Sequence, residues 1–441
     1  MGERVGDAPG ERNARDEAGA PAPPHFRRNF RLAVANGVIY SGADAFLDPN
    51  TVLPLFLSRL TSSHALIGLG SSLASVGWFS PQLVMSNVLE GRAYKLPVYR
   101  LAAVLRVAAL AALAGLIPWL AARSPAALLV AFFILFGAYA LGGGFAGVSF
   151  MDVVAKTIPA RRRGRLWSLR LGLGGVFAVL MGWIVRRVLA THAFPANFSI
   201  IFAGASALVL VSLAAFSFCV EPPDRHVGER PTLEHHVREG FRVLRDDPRF
   251  RRLFRVRILF GLCAMSAPFY ALYATQKLGF EPRTAGTFLI AQTLGAVFSN
   301  VLWGRWSEKR GDVAVLRYAS WLALAAPLVA LAAGLVAPAV RAASAALAMA
   351  PFALLALTFF CVGATTSGVG VGYPNMLLEL APETRRTAYI GFMNSFVAPI
   401  LVFPTIGGLV VDTAGFIVLF SASAAFAVVA RVSVQRLAAK R

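Results

Sequence analysis

Charge is scarce in this sequence, where Asp, Glu, Lys and Arg together make up 15% of 441 residues. A water-soluble domain carries closer to a quarter charged residues, so much of this surface must face something other than water. Cysteine is rarer still, at three. Cys219, Cys263 and Cys361 all fall in apolar stretches, which excludes a disulfide framework and implies buried free thiols. The six histidines lie outside those stretches. His235 and His236 are adjacent, but no Cys or further His stands at ligand spacing, so no metal site is implied. Neither His-Glu-x-x-His nor Gly-x-Ser-x-Gly occurs, which removes two routes to an intramembrane enzyme. No cofactor is implied.

What is abundant is apolar: 57% of the residues are hydrophobic and the mean hydropathy is +0.64. They gather in about twelve stretches of roughly 20 or more residues, the length a helix needs to cross a hydrocarbon core of about 30 Å. The expected spans lie near 32–57, 65–89, 98–122, 126–156, 166–190 and 197–220, then near 256–277, 284–303, 313–337, 345–378, 389–411 and 414–432. Residues 1–30 are polar and lack the apolar core of a signal peptide, so they read as a disordered cytoplasmic tail, with a second short tail at 437–441. Between the two sets of spans, residues 221–255 form a charged cytoplasmic linker. Leu233, Val237, Phe241 and Leu244 recur in it at helical spacing, as in an amphipathic surface helix. The expected organisation is therefore a helical bundle at 31–220 and another at 256–436.

A net charge of +21 could suggest nucleic acid, but the position of the charge argues otherwise. Arg92, Lys95 and Arg100, then Arg161, Arg162, Arg163 and Arg165, then the linker, then Arg305, Lys309 and Arg310, then Arg385 and Arg386 occupy alternate loops. Basic loops are retained in the cytoplasm, so both termini are expected there, in a bacterial inner membrane. The lipid bilayer is the expected partner and nucleic acid is not.

The two sets of spans also repeat each other. NVLEGR at Asn87–Arg92 ends the second span and NVLWGR at Asn300–Arg305 ends the eighth. Gly147, Val148, Pro159, Arg162 and Arg163 find Gly370, Val371, Pro382, Arg385 and Arg386 at one constant offset. Parallel six-helix repeats with a site between them describe an all-α membrane protein that works by alternating access.

The stretch GRWSEKRG, Gly304–Gly311, resembles the loop signature of the major facilitator superfamily, with Gly304, Ser307, Glu308, Lys309 and Gly311 in its places. Glu379, Pro382 and Arg386 resemble the acid, proline and arginine at the cytoplasmic end of helix ten in that family. The resemblance implies a fold of two pseudo-symmetric six-helix bundles. It also implies a cytoplasmic gate built from Gly304, Glu308, Lys309, Gly311, Glu379 and Arg386, with Arg92 and Arg163 as first-half counterparts. The first-half loop GRAYKLPVYR departs from the signature by lacking its acid, and Lys156 stands where the second half has Glu379. The arginine of helix four and the Gly-Pro pair of helix five that mark proton-coupled drug antiporters are missing.

Ionisable groups inside spans cost roughly 2.5–3.5 kcal/mol at the bilayer centre, so each needs a reason. In the first span Asn36, Tyr40, Asp44 and Asp48 recur every fourth residue as one polar stripe. A helix starting near Leu32 places Asp44 about 18 Å along its axis, close to the midplane, where a carboxyl group can take up and release a proton during transport. Asp48 precedes Pro49, which should bend the span there. Both acids could instead pair with Arg106 of the third span or cap a kink. SGADAFLD also lacks the flanking glycines of intramembrane aspartyl proteases. In the seventh span Ser266, Tyr270 and Tyr273, with Gln276 at the end, form either a cavity wall or ordinary packing. The glycines of the fourth and tenth spans suit either a sliding helix or tight static contact. Arg170, one turn inside its span, is expected at the membrane boundary. The expectation overall is a monomeric secondary transporter of a small-molecule substrate, with proton-driven efflux favoured over uncoupled facilitation because of Asp44. A receptor or chaperone of the same fold remains open.

Overall fold

The computed structural model describes residues 25–82, 92–223, 242–340, 349–380 and 399–438, together with 85, 89 and 238. No strand occurs among the described residues. The first half contains α1 (Phe26–Phe46), α2 (Val52–Leu57), α3 (His64–Phe79), α4 (Leu96–Leu120), α5 (Pro125–Thr157), α6 (Ala160–Thr191) and α7 (Ala196–Ser217). The second contains α8 (Pro248–Ala264), α9 (Phe269–Gln276), α10 (Thr284–Arg310), α11 (Asp312–Val340), α12 (Ala350–Leu380) and α13 (Phe403–Ala438). Nine stretches among the described residues are long and apolar enough to cross a membrane. Leu233, Val237 and Phe241 of the linker lie outside the described residues, as does Arg386.

Each half opens with a broken helix. After α1 the chain turns at Asp48, whose carboxylate accepts Asn50 N–H at 3.0 Å and Thr51 Oγ1 at 2.7 Å. Pro49 disfavours helical backbone at Asp48, so the acid takes the backbone donor that the break leaves over. In the second half Pro268 marks the corresponding break between α8 and α9. The short helices α2 and α9 meet across the two halves.

Caps explain where several helices begin. Asp247 accepts Arg249 N–H at 2.8 Å and Phe250 N–H at 3.2 Å, with Pro248 in the first turn. That cap starts α8 ahead of the span expected near 256. Hydropathy hid this turn because Arg249, Arg251, Arg252 and Arg255 alternate with buried Phe250, Leu253 and Val256. The α6 helix likewise starts at Ala160 and carries its arginine cluster in its first turns. At Gly311 the chain leaves α10 with φ 79°, a left-handed conformation that glycine adopts without strain. Gly415, φ 86°, divides α13 into two segments.

In the first half α1 packs on α6 and α7, and α4 on α5 and α7. In the second, α11 packs on α12 and α13, and α10 on α12. The halves meet where α3 lies against α13 and α6 against α10. Both contacts lie toward the end of the bundle away from α1's first residue. Backbones approach closely there: Gly408 lies on the His64 carbonyl and Gly68 on the Pro404 carbonyl, and a Cβ at either would collide. Outward-facing Leu335 and Leu101 are 80% and 74% exposed. A belt of such exposed apolar residues is what a hydrocarbon solvent calls for.

Candidate functional site

Polar side chains converge inside the first half on a cavity of about 300 Å³. Asn36 and Tyr40 of α1, Arg106 of α4 and Arg170 of α6 line it, with Trp78, Tyr99, Phe150 and Trp167 adding aromatic side chains. Arg106 is buried and donates from Nη2 to Tyr40 Oη at 2.6 Å. Its guanidinium lies 4.4 Å from the ring centre of Tyr139 and 5.2 Å from that of Tyr40. Arg106 Nε is buried with no hydrogen-bond partner among the described residues.

Because α6 begins at Ala160, Arg170 lies about 15 Å along the helix. Its Nη1 donates to Asn36 Oδ1 at 3.0 Å and to the Ala33 carbonyl. Its guanidinium lies 4.7 Å from the Phe150 ring centre. Asn36 in turn donates to Ser212 Oγ at 2.9 Å and to the Ser212 carbonyl at 3.0 Å. One asparagine thus ties α1 to α6 and α7.

The glycines of α5 shape this cavity. A Cβ at Gly142 would stand 2.8 Å from Arg106 Cγ, and one at Gly147 would stand 2.8 Å from the Trp78 ring. These glycines are seats for an arginine stem and an indole, which favours the static-packing reading in this conformation.

The two acids of the first span have different surroundings. Asp44 lies one turn beyond Tyr40 and is exposed, its carboxylate makes no hydrogen bond to a described residue, and the nearby charges acting on it are Arg106 and Asp48. Asp48 is buried. Besides its two local donors it accepts Gln292 Nε2 from α10 at 2.7 Å, while Asn50 Nδ2 donates to Gln292 Oε1 at 3.1 Å. One glutamine of the second half therefore grips both sides of the break in the first.

A second polar joint closes the same end. Asp412 of α13 accepts the backbone N–H groups of His64 and Ala65 at 3.0 and 3.1 Å, capping the start of α3 across the two halves. His64 Nδ1 lies 2.7 Å from Asp412 Oδ1, and its Nε2 lies 3.2 Å from Gln276 Oε1 at the end of α9.

Other expected site residues stand elsewhere. Tyr270 is buried among Phe359 and Phe420, with its hydroxyl 2.9 Å from Ser266 Oγ. Tyr273 packs on Phe416 and Phe420 with its hydroxyl against Gly334. Neither lines the cavity, so the aromatic stripe of the seventh span is packing of the second half. Of the expected gate, Gly304, Glu308, Lys309, Glu379 and Arg92 are exposed. Arg163 donates to the carbonyls of Ile158 and Ala155 at 3.0 and 2.7 Å and finishes α5. Near the expected gate, Ser307 and Asn375 both donate to Asp312 Oδ1, at 2.5 and 3.1 Å, joining α12 to the turn between α10 and α11. In the first half Lys156 pairs with Asp152 at 2.7 Å and with buried Glu221 at 3.1 Å. Glu221 also accepts the N–H groups of Lys95 and Leu96 at 2.9 and 2.8 Å, capping α4. Sequence reasoning missed Trp78, Tyr99, Tyr139, Gln292 and Asp412. A residue's hydropathy class carries no signal of which distant helix it meets.

Paired helical halves, apolar outside and holding a polar cavity, make a multi-pass membrane transporter fold. The sequence matches the Major Facilitator Superfamily over residues 32–337 and again over 260–438, and the chain belongs to that family. An uncharacterized protein of Mycobacterium tuberculosis is 27% identical over 198 residues, 44% of this chain and 37% of that protein. The match thus spans little more than a third of that relative's length. The fold is similar to that of a nucleoside transporter NupG mutant, at 11% identity and TM-score 0.68 over 93% of this chain and 99% of that one. It is also similar to a D-xylose-proton symporter, at 16% identity and TM-score 0.67 over 94% and 98%.

Proposed function

We propose that this protein crosses a bacterial inner membrane twelve times with both termini in the cytoplasm, and moves a small organic solute by alternating access. It acts as a carrier and not as an enzyme. On this reading the joints at Asp48–Gln292 and His64–Asp412 hold the periplasmic end shut, and solute reaches the cavity from the cytoplasm. The expected cytoplasmic gate would close in the opposite state, and the exposure of Glu308 accords with an open cytoplasmic side.

The observation that carries the proposal is the contrast between the two acids. Three donors occupy Asp48, which suits a fastener between the halves. Asp44 stays accessible beside a buried arginine with no hydrogen-bond donor committed to it. Such a carboxyl group can exchange a proton with the aqueous path and alter the field at Arg106 when it does so. Our reading is proton-driven transport with Asp44 as the coupling group, in the direction of efflux.

Reconstitution in liposomes tests this. Asp44→Asn keeps size and polarity while removing titration, so it should abolish accumulation driven by a proton gradient and leave solute exchange intact. Full concentrative transport by the variant would make the protein an uncoupled facilitator or place coupling elsewhere. Solute binding without flux in the parent protein would instead favour a receptor of the same fold.

A further inference from the structure

The charge balance of the cavity suggests what it holds. Two guanidinium groups, Arg106 and Arg170, stand on its wall, and no carboxylate is among the lining residues. A buried arginine ordinarily finds a carboxylate, because an uncompensated charge away from water is costly. Among the described residues the Arg106 guanidinium meets neutral phenol groups: it donates to Tyr40 and lies over the ring of Tyr139. Arg106 is 3% exposed, its Nε–H has no partner among the described residues, and its guanidinium is a group suited to two-point recognition of an oxyanion. Asp44 acts on Arg106 through charge and makes no hydrogen bond to it.

Asn36, Tyr40 and Tyr99 add polar groups to the wall, and Trp78 on α3 supplies an apolar face, its indole lying close to α5 at the seat left by Gly147. A volume of about 300 Å³ lies at the small end of ligand pockets. We propose that this cavity binds a small organic anion, its oxyanion end facing Arg106 and Arg170 and its planar apolar body lying on Trp78. The proposal rests on the transporter reading and names the substrate class of that site.

Thermal stabilisation of the purified full-length protein in detergent tests it, since a bound solute raises the melting temperature by mass action. The probes are indole-3-carboxylate and phenyl phosphate, against neutral indole-3-carboxamide and cationic indole-3-methanamine. At least one anion should stabilise saturably while the amide and the amine do not. Arg170→Gln should weaken that anion at least tenfold. Arg106→Lys, which keeps the charge but removes the planar fork, should weaken it several-fold, and Trp183→Leu on the outer surface should not change it. Equal stabilisation by the amide or amine, no stabilisation by either anion, or undiminished binding in both arginine variants would overturn the proposal. Counterflow in liposomes separates the two claims. Anion-selective binding without flux removes the transporter reading and keeps the anion site, whereas flux without anion preference does the reverse.

Discussion

At the scale of single residues, Gln292 shows how one side chain connects the two halves. Its amide donates to Asp48 Oδ2 and accepts from Asn50 Nδ2, so both of its functional atoms serve the break in the first helix. A hydrogen bond to a charged group contributes about 1.5–3 kcal/mol, which corresponds to a shift of roughly ten- to a hundredfold in a two-state balance. Gln292→Ala should therefore move the population away from the closed periplasmic end by about that factor. Labelling of a cysteine placed near Gln276 would report it, and an unchanged labelling rate would show that the contact carries no switching energy. The same comparison separates Asp48 from Asp44, which four residues of sequence spacing could not.

At the scale of helices, the closed end depends on backbone contact between α3 and α13. Gly408 lies against the His64 carbonyl, so a larger side chain there must force the two helices apart. Gly408→Val should disfavour the closed periplasmic end while leaving each half folded. Spin-label distances across α3 and α13 should lengthen, and an unchanged distance distribution would count against this contact as the outer seal. A different device holds α4. Glu221, at the end of the first half, caps two of its N–H groups and pairs with Lys156. Losing the carboxylate leaves the buried N–H groups of Lys95 and Leu96 without their acceptor, at about 1–3 kcal/mol, while Lys156 keeps Asp152. Glu221→Ala should lower the melting temperature clearly, and Glu221→Gln, which keeps an acceptor for those groups, should lose less. No change in melting temperature would mean that water replaces the carboxylate.

Across the whole molecule, orientation follows from where charge is placed. Among the described residues the basic clusters at 161–165 and 305–310 stand at helix ends, and on the proposed topology the positive-inside bias makes their side cytoplasmic. A phosphatase reporter fused after Arg441 should be inactive, and a fluorescent protein that matures only in the cytoplasm should glow. The opposite pair of results would invert the direction in which the cavity opens and reverse the proposed efflux.

Membrane residence, the two repeated halves and the bend at Pro49 were all legible in the sequence. Each is a local property: hydropathy over about 20 residues, a motif repeated at fixed spacing, and a proline that cannot continue a helix. The stripe of Asn36, Tyr40 and Asp44 was legible for the same reason, since helical periodicity puts every fourth residue on one face. Tertiary structure decided which side chains from other helices meet that stripe. Arg170 reaches Asn36 across 134 positions of sequence, and Gln292 reaches Asp48 across 244. Tyr270 and Tyr273 looked equally suited to a cavity, yet they pack on Phe416 and Phe420. In lipid an apolar face can turn outward or inward at similar cost, so the hydropathy of one helix does not specify which face a neighbour covers. Packing between helices makes that choice, and with it the position of the cavity.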